Sequence, residues 1–133
     1  MKVSKIVRFD AAHKLYHPQW DRQKNQEVYG KCSDLHGHRY TLIVTVDGPI
    51  SEDGMVINFS LLKTIIQEEI LDCYDHQYLN DCIDFRECIT TSERLLQIIY
   101  DKLTRKLLKI APHVLVSKLE LYETDTSFCT LEG

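Results

Sequence analysis

The sequence lacks any apolar run near the roughly 20 residues that a membrane-spanning helix needs. Met1 to Leu15 also mixes polar with apolar side chains where a secretory leader is continuously apolar. Membrane insertion and export are therefore not expected, and a cytoplasmic location is. A basic block is missing too: 16 Lys and Arg are scattered among 20 Asp and Glu, for a net charge of -4. That distribution leaves no footprint for nucleic acid or an anionic membrane, so an anionic ligand has to be held locally. The five cysteines (Cys32, Cys73, Cys82, Cys88 and Cys129) are odd in number and show no framework spacing. They are expected as free thiols, most of them small core residues. No repeat or low-complexity run divides the chain, and 44% hydrophobic with 27% charged residues suits one domain over residues 1–133. The sequon at Asn58 carries no weight in a chain that is not exported.

Lys2 to Phe9 reads as a strand, and Arg39 to Asp47, rich in β-branched and aromatic residues and closed by Gly48-Pro49, as a second. Between them Tyr16 to Ser33 is polar, contains Pro18 and Gly30, and reads as a long loop of the kind that usually carries function. Asn58 or Ser60 is placed to cap a helix from about Ser60 to Cys73, in which Leu61, Leu62, Ile65, Ile66 and Ile70 recur at helical spacing. Thr90 stands three residues ahead of Glu93 in a capping-box pattern, predicting a second helix from about Ser92 to Ile110 that stops before Pro112. Val114 to Thr124 alternates like a strand, and a short final strand is expected near Ser127 to Leu131. The order predicts an α+β domain with two helices on one face of an antiparallel sheet. Such a sheet keeps an open face and open edges, which assembly with other copies would close.

The residues that can carry chemistry concentrate in Lys31 to Tyr40, KCSDLHGHRY. In an extended chain His36 and His38 project from one face, and Gly37 allows a close approach between them. Such a pair is often only a strand edge or a hydrogen-bonded core pair. His13, just beyond the first strand, can complete the three-histidine set of an open zinc site. His17 and His113 lie beside prolines and are expected at the surface. Cys32 is either a fourth, closing ligand or a nucleophile or base beside the metal, and its spacing does not choose. Asp75-His76 is either a helix C-terminal cap or an acid-base pair. Glu123 ends an apolar strand face, either at the water boundary or as anchor for a ligand with two parallel N–H groups. Thr91, Ser92 and Glu93 divide between plain capping and ligand binding at a helix N-terminus. A zinc hydrolase of the HExxH kind is not indicated, because that spacing is absent.

Six motifs, FDAAHKL, C-x-x-x-HGH, GMVINF, YDHQYLN, TTSE and YET, occur in the order seen in the 6-pyruvoyltetrahydropterin synthase and 6-carboxytetrahydropterin synthase family, which the chain resembles over nearly its whole length. The resemblance implies the tunnelling fold. There a four-stranded antiparallel sheet and two helices from each of three subunits form an oligomeric barrel, and two trimers stack as a homohexamer with sites between subunits. It implies a zinc enzyme acting on 7,8-dihydroneopterin triphosphate, with His13, His36 and His38 as zinc ligands and Cys32, Asp75 and His76 as the catalytic group. Glu123, with Thr91, Ser92 and Glu93, corresponds to the pterin contacts. The three residues between Cys32 and His36 resemble the 6-carboxy enzymes of queuosine (7-deazaguanine) biosynthesis, which release acetaldehyde and triphosphate. The eighteen residues between His13 and Cys32, and the lead-in VYGKC, resemble instead the 6-pyruvoyl type. Asn58, Tyr74 and Thr90 depart from the family's usual aspartate, leucine and proline.

Overall fold

The computed structural model describes residues 1–133. Its centre is a pair of twelve-residue strands, β1 (Lys2–His13) and β2 (His36–Asp47), antiparallel from the Lys2–Asp47 pair to the His13–His36 pair. Both run further toward the histidines than the expected limits at Phe9 and Arg39. The alternation that buries Val7 and Phe9 continues through Ala11 and His13, and Gly37 faces the Ala11 carbonyl at a distance a side chain would just fill. On the other side of β2 lies β4 (Leu115–Tyr122), followed by β5 (Phe128–Glu132), both antiparallel. A bulge at Ser117 shifts the parity of β4, so that Val116 as well as Leu119 and Leu121 face the core.

The expected four-stranded antiparallel sheet is corrected to an open, mixed sheet of five strands, in which the two-residue β3 (Gln77–Tyr78) lies outside β1 and gives the order β3-β1-β2-β4-β5. The added strand runs parallel to β1 at Ala11 and Ala12. Two residues are too few for a period to register in sequence. The strand exists because the chain leaving the helical layer runs along the free edge of β1, where the His76 N–H donates to the Asp10 carbonyl at 2.6 Å.

Helix α1 (Arg22–Tyr29) occupies the segment read as a loop. Its only buried residue is Asn25, so it has no apolar stripe to betray it. Asp21 caps it by accepting from Lys24 N–H at 2.7 Å. Asn25 ties the excursion together: its Oδ1 accepts from His17 N–H at 2.6 Å, and its Nδ2 donates to the carbonyls of His17, Trp20 and Asp21.

Helix α2 (Phe59–Ile66), capped by Asn58, continues through a π-helical turn, Gln67–Leu71, into the short α3 (Asp72–Tyr74) where one regular helix was expected. Helix α4 (Ser92–Ile110) has the expected bounds. Its cap is Thr91, which accepts from Arg94 N–H at 3.2 Å, rather than the expected Thr90, which is buried and donates to the Lys14 carbonyl at 3.1 Å.

Leu62, Ile65 and Ile66 of α2 and Leu95, Leu96, Ile99, Leu103 and Leu107 of α4 cover one face of the sheet, within a single cluster of 26 buried apolar residues. On the opposite face Ile6, paired with Ile43, is half exposed. All five cysteines are free thiols and none is fully buried; three of them, Cys82, Cys88 and Cys129, pack against the core, and Cys73 is exposed. No helix is long and apolar enough to cross a membrane.

Because the Asn25 side chain ties His17, Trp20 and Asp21 together at the start of α1, Asn25→Ala should loosen the excursion without unfolding the sheet. Amide exchange over residues 16–33 should quicken about tenfold or more, while exchange in β1, β2 and α4 stays as in the parent chain. Uniform acceleration would show that the excursion is not a separate unit.

Candidate active site

The β1–β2 register places His13 directly across from His36, and Ala11 across from His38, all pointing to the helix-covered face. The three rings stand with centroids 4.5, 5.2 and 4.9 Å apart. One ring nitrogen from each, together with a Glu123 carboxylate oxygen, lies within 4.8 Å of all the others. His13 Nδ1 is 2.7 Å from the Thr90 carbonyl and His36 Nδ1 2.7 Å from the Asp34 carbonyl. A carbonyl only accepts, so Nδ1 carries the proton and the Nε2 lone pair faces the cluster.

The three Nε2 atoms are buried without a hydrogen-bond partner. Buried nitrogens without partners are costly. His38 Nε2 lies 2.7 Å from Glu123 Oε1, but the contact is not aligned as a hydrogen bond. Glu123 Oε1 is also 3.9 Å from His13 Nε2, and its Oε2 accepts from the Ser92 hydroxyl at 2.7 Å. Burial is the main cause that lowers the pKa of both His13 and His38 below the ordinary imidazole value, which keeps their lone pairs available. Three imidazole Nε2 atoms turned toward one point fit a divalent metal of the zinc type, and the Glu123 carboxylate lies against them.

The remaining expected residues do not all meet here. Cys32 is half-buried in a tight turn, Gly30–Ser33, whose Cys32 carbonyl accepts from Leu15 N–H at 2.8 Å, two residues past His13. The thiol is not a member of the histidine cluster. Asp75 and His76 form a second cluster with Asp10 on the free edge of β1. There Asp75 Oδ1 accepts from Asp10 N–H at 2.9 Å and lies 3.0 Å from His76 Nδ1. The Asp10 N–H, more than the His76 contacts, holds the Asp75 carboxyl below its usual pKa. His76 has φ +60°, the one positive value outside glycine, and its ring is exposed at the rim of an open cavity of about 500 Å³ that Gly37 and His38 also line. Thr91 is spent on capping, whereas Ser92 and Glu93 reach a small cavity of about 130 Å³ shared with Glu123. His113 is exposed as expected, but His17 is half-buried and stacks on Trp20 at 4.5 Å.

The model of the family described as 6-pyruvoyl tetrahydropterin synthase matches residues 2–133. The chain belongs to that family. It is 34% identical to 6-pyruvoyl tetrahydrobiopterin synthase of Dictyostelium discoideum, over 94% of this chain and 90% of that one. It is 33% identical to 6-carboxy-5,6,7,8-tetrahydropterin synthase of Haemophilus influenzae, over 96% of each. The structure of Caenorhabditis elegans 6-pyruvoyl tetrahydropterin synthase superposes with a TM-score of 0.89 at 27% identity, covering 100% of this chain and 95% of that one. Kinship to this tetrahydropterin synthase family thus extends to relatives named for two different products.

Within this member of the synthase family, one candidate escaped the sequence reading. Tyr40 is fully buried, its hydroxyl has no hydrogen-bond partner, and its ring packs edge-on against His38 at 5.6 Å. Burial first, and then the Glu123 charge, push its pKa above the ordinary phenol value. The signal was the same alternation that pairs the histidines: His36, His38 and Tyr40 share one strand face. Tyr40→Phe removes an unpaired buried hydroxyl, so the metal-free protein should gain about 1 kcal/mol in urea unfolding. A loss of that size would reveal a partner for the hydroxyl.

Lowered pKa values for His13 and His38 mean that, below the ordinary value near 6.5, the unfolded chain binds more protons than the folded one. The corresponding stability is complete above that value and is lost as pH falls from it toward the folded-state values. In chelator the urea midpoint should therefore drop between about pH 7 and pH 5, and His13→Gln should flatten the drop. A parent profile already flat in that window would contradict the assignment.

Proposed function

We propose that the chain is a zinc-dependent, cytoplasmic lyase that converts 7,8-dihydroneopterin triphosphate to 6-carboxy-5,6,7,8-tetrahydropterin, releasing acetaldehyde and triphosphate, in queuosine (7-deazaguanine) biosynthesis. The observation that carries the metal-dependent part is the convergence of three buried, unpartnered Nε2 atoms from His13, His36 and His38. Those three residues would hold the ion, which when bound would supply Lewis-acid polarisation of the substrate's side-chain oxygens. Glu123, with one oxygen held by the Ser92 hydroxyl, accepts the paired N–H groups of the pterin, and Thr91 and Glu93 supply further contacts at the start of α4. Cys32 takes the proton from the side-chain carbon. His76, oriented by Asp75, delivers or removes a proton at the opposite side.

In one chain the Asp75–His76 pair forms its own cluster at the β1 edge rather than joining the histidines. Completion of the site by a neighbouring copy, in a homohexamer built as a dimer of trimers, accounts for that separation and for the uncovered sheet face. The three-residue spacing from Cys32 to His36 supports the 6-carboxy product. A second reading, the 6-pyruvoyl product, is favoured by the long excursion that contains α1 and by relatives such as the 34%-identical Dictyostelium enzyme.

Incubation with dihydroneopterin triphosphate followed by mass spectrometry decides the product: the 6-carboxy mass is expected, and the 6-pyruvoyl mass selects the second reading. Pterin binding with no conversion would make the chain a non-catalytic relative. Cys32→Ala should keep its zinc content, measured by elemental analysis, and lose turnover by about a hundredfold or more; full turnover would remove Cys32 from the chemistry.

A further inference from the structure

The excursion between β1 and β2 and the segment before α4 enclose a cavity of about 420 Å³ that no role above uses. Its polar lining includes His17, Gln19, Asn80, Arg86, Glu87 and Arg94. Both arginines are exposed and neither pairs with a carboxylate; the one side-chain partner of Arg94 is the neutral Gln97, at 3.1 Å. His17 is held for donation: its Nδ1 accepts from Gln19 N–H at 3.1 Å, which puts the ring proton on Nε2, and its stacking on Trp20 fixes the ring plane. Two guanidinium groups and one oriented imidazole N–H facing a single carboxylate make a receptor for a polyanion.

Position adds to chemistry. The wall between this cavity and the histidine cluster is one network: Asn80 binds both the N–H and the carbonyl of Lys14, and Thr90 donates to the same Lys14 carbonyl while its own carbonyl holds His13. The cavity therefore adjoins the cluster without sharing its ligands. A triphosphate ester carries its charges several bonds beyond the carbons that react, so its receptor has to adjoin the reacting centre in this way.

Other basic sites fit less well. In the open cavity beside His76, Arg39 lies 3.9 Å from the Asp10 carboxylate. The groove of Lys102, Arg105, Lys106 and Lys109 contains Glu69 and starts ten residues along α4 from Ser92, roughly 15 Å by the rise per residue.

We infer that the cavity lined by His17, Arg86 and Arg94 holds the polyphosphate chain of the substrate. This rests on the proposed pterin triphosphate reading only for the identity of the ester; the anion site itself is tested separately. Calorimetry with inorganic tripolyphosphate on the zinc-loaded protein should show salt-sensitive binding. Arg86→Gln and Arg94→Gln should each weaken it about tenfold or more, Arg→Lys at the same positions less, and Lys102→Gln and Lys106→Gln not at all.

With dihydroneopterin triphosphate, the arginine variants should raise KM by a similar factor while zinc content and the affinity for unphosphorylated dihydroneopterin stay unchanged. Equal tripolyphosphate binding by the Arg86→Gln/Arg94→Gln variant and the parent, or loss of binding through Lys102 and Lys106 instead, overturns the site. Turnover with an unchanged KM in that variant also overturns the site and leaves the proposed function standing. Arginine-dependent tripolyphosphate binding without any turnover overturns the proposed function and leaves the site.

Discussion

The structure depends on one pairing, the antiparallel register of β1 with β2. Only when Lys2 meets Asp47 does His13 meet His36, with His38 one step further along the same face. A slip of β2 by a single residue would turn His36 and His38 to the opposite face and, with them, Tyr40, Leu42 and Val44 out of the core, and a slip of β1 would do the same to His13, Val7 and Phe9. Core and histidine cluster are therefore specified together. The burial of apolar side chains that selects the register is far larger than anything the cluster itself contributes, so the scaffold can hold nitrogens in a costly arrangement.

That arrangement is set by contacts from outside the strand pair. The Thr90 carbonyl just before α4 and the Asp34 carbonyl just before β2 orient two of the rings, and the Ser92 hydroxyl in the first turn of α4 steadies Glu123. The start of α4 thus serves two neighbouring purposes. Thr90 turns inward to His13 and Lys14, Thr91 closes the helix end, and Arg94 faces the adjoining cavity. A segment of five residues joins the Glu123 carboxylate, the histidines and the basic cavity.

The same fold leaves surfaces that a single copy does not use. Ile6 and Ile43 meet on the uncovered face, and β1 is paired along its free edge only at Ala11 and Ala12. Asp75 and His76 sit at that edge, held by both polar groups of the Asp10 backbone, with the positive φ of His76 turning its ring outward. A pair so firmly placed and so exposed is suited to meet something arriving from outside its own chain.

The sequence by itself determined the family, the strand-helix-strand order, the bounds of α4 and the candidate histidines, because these are written in short motifs and in periods of two and 3.6 that local physics reads directly. Tertiary structure alone decided the rest. The helix α1 has no apolar period and exists through the hydrogen bonds of Asn25; β3 is two residues that follow an edge set by another strand; the cap moved from Thr90 to Thr91 because His13 and Lys14 claim Thr90. Tyr40 was legible as a third member of an alternating face, but its lack of a partner appears only once the core closes around it. The basic cavity joins positions 17, 86 and 94, and no sequence spacing encodes that meeting, since it depends on where three separate segments pack against one another.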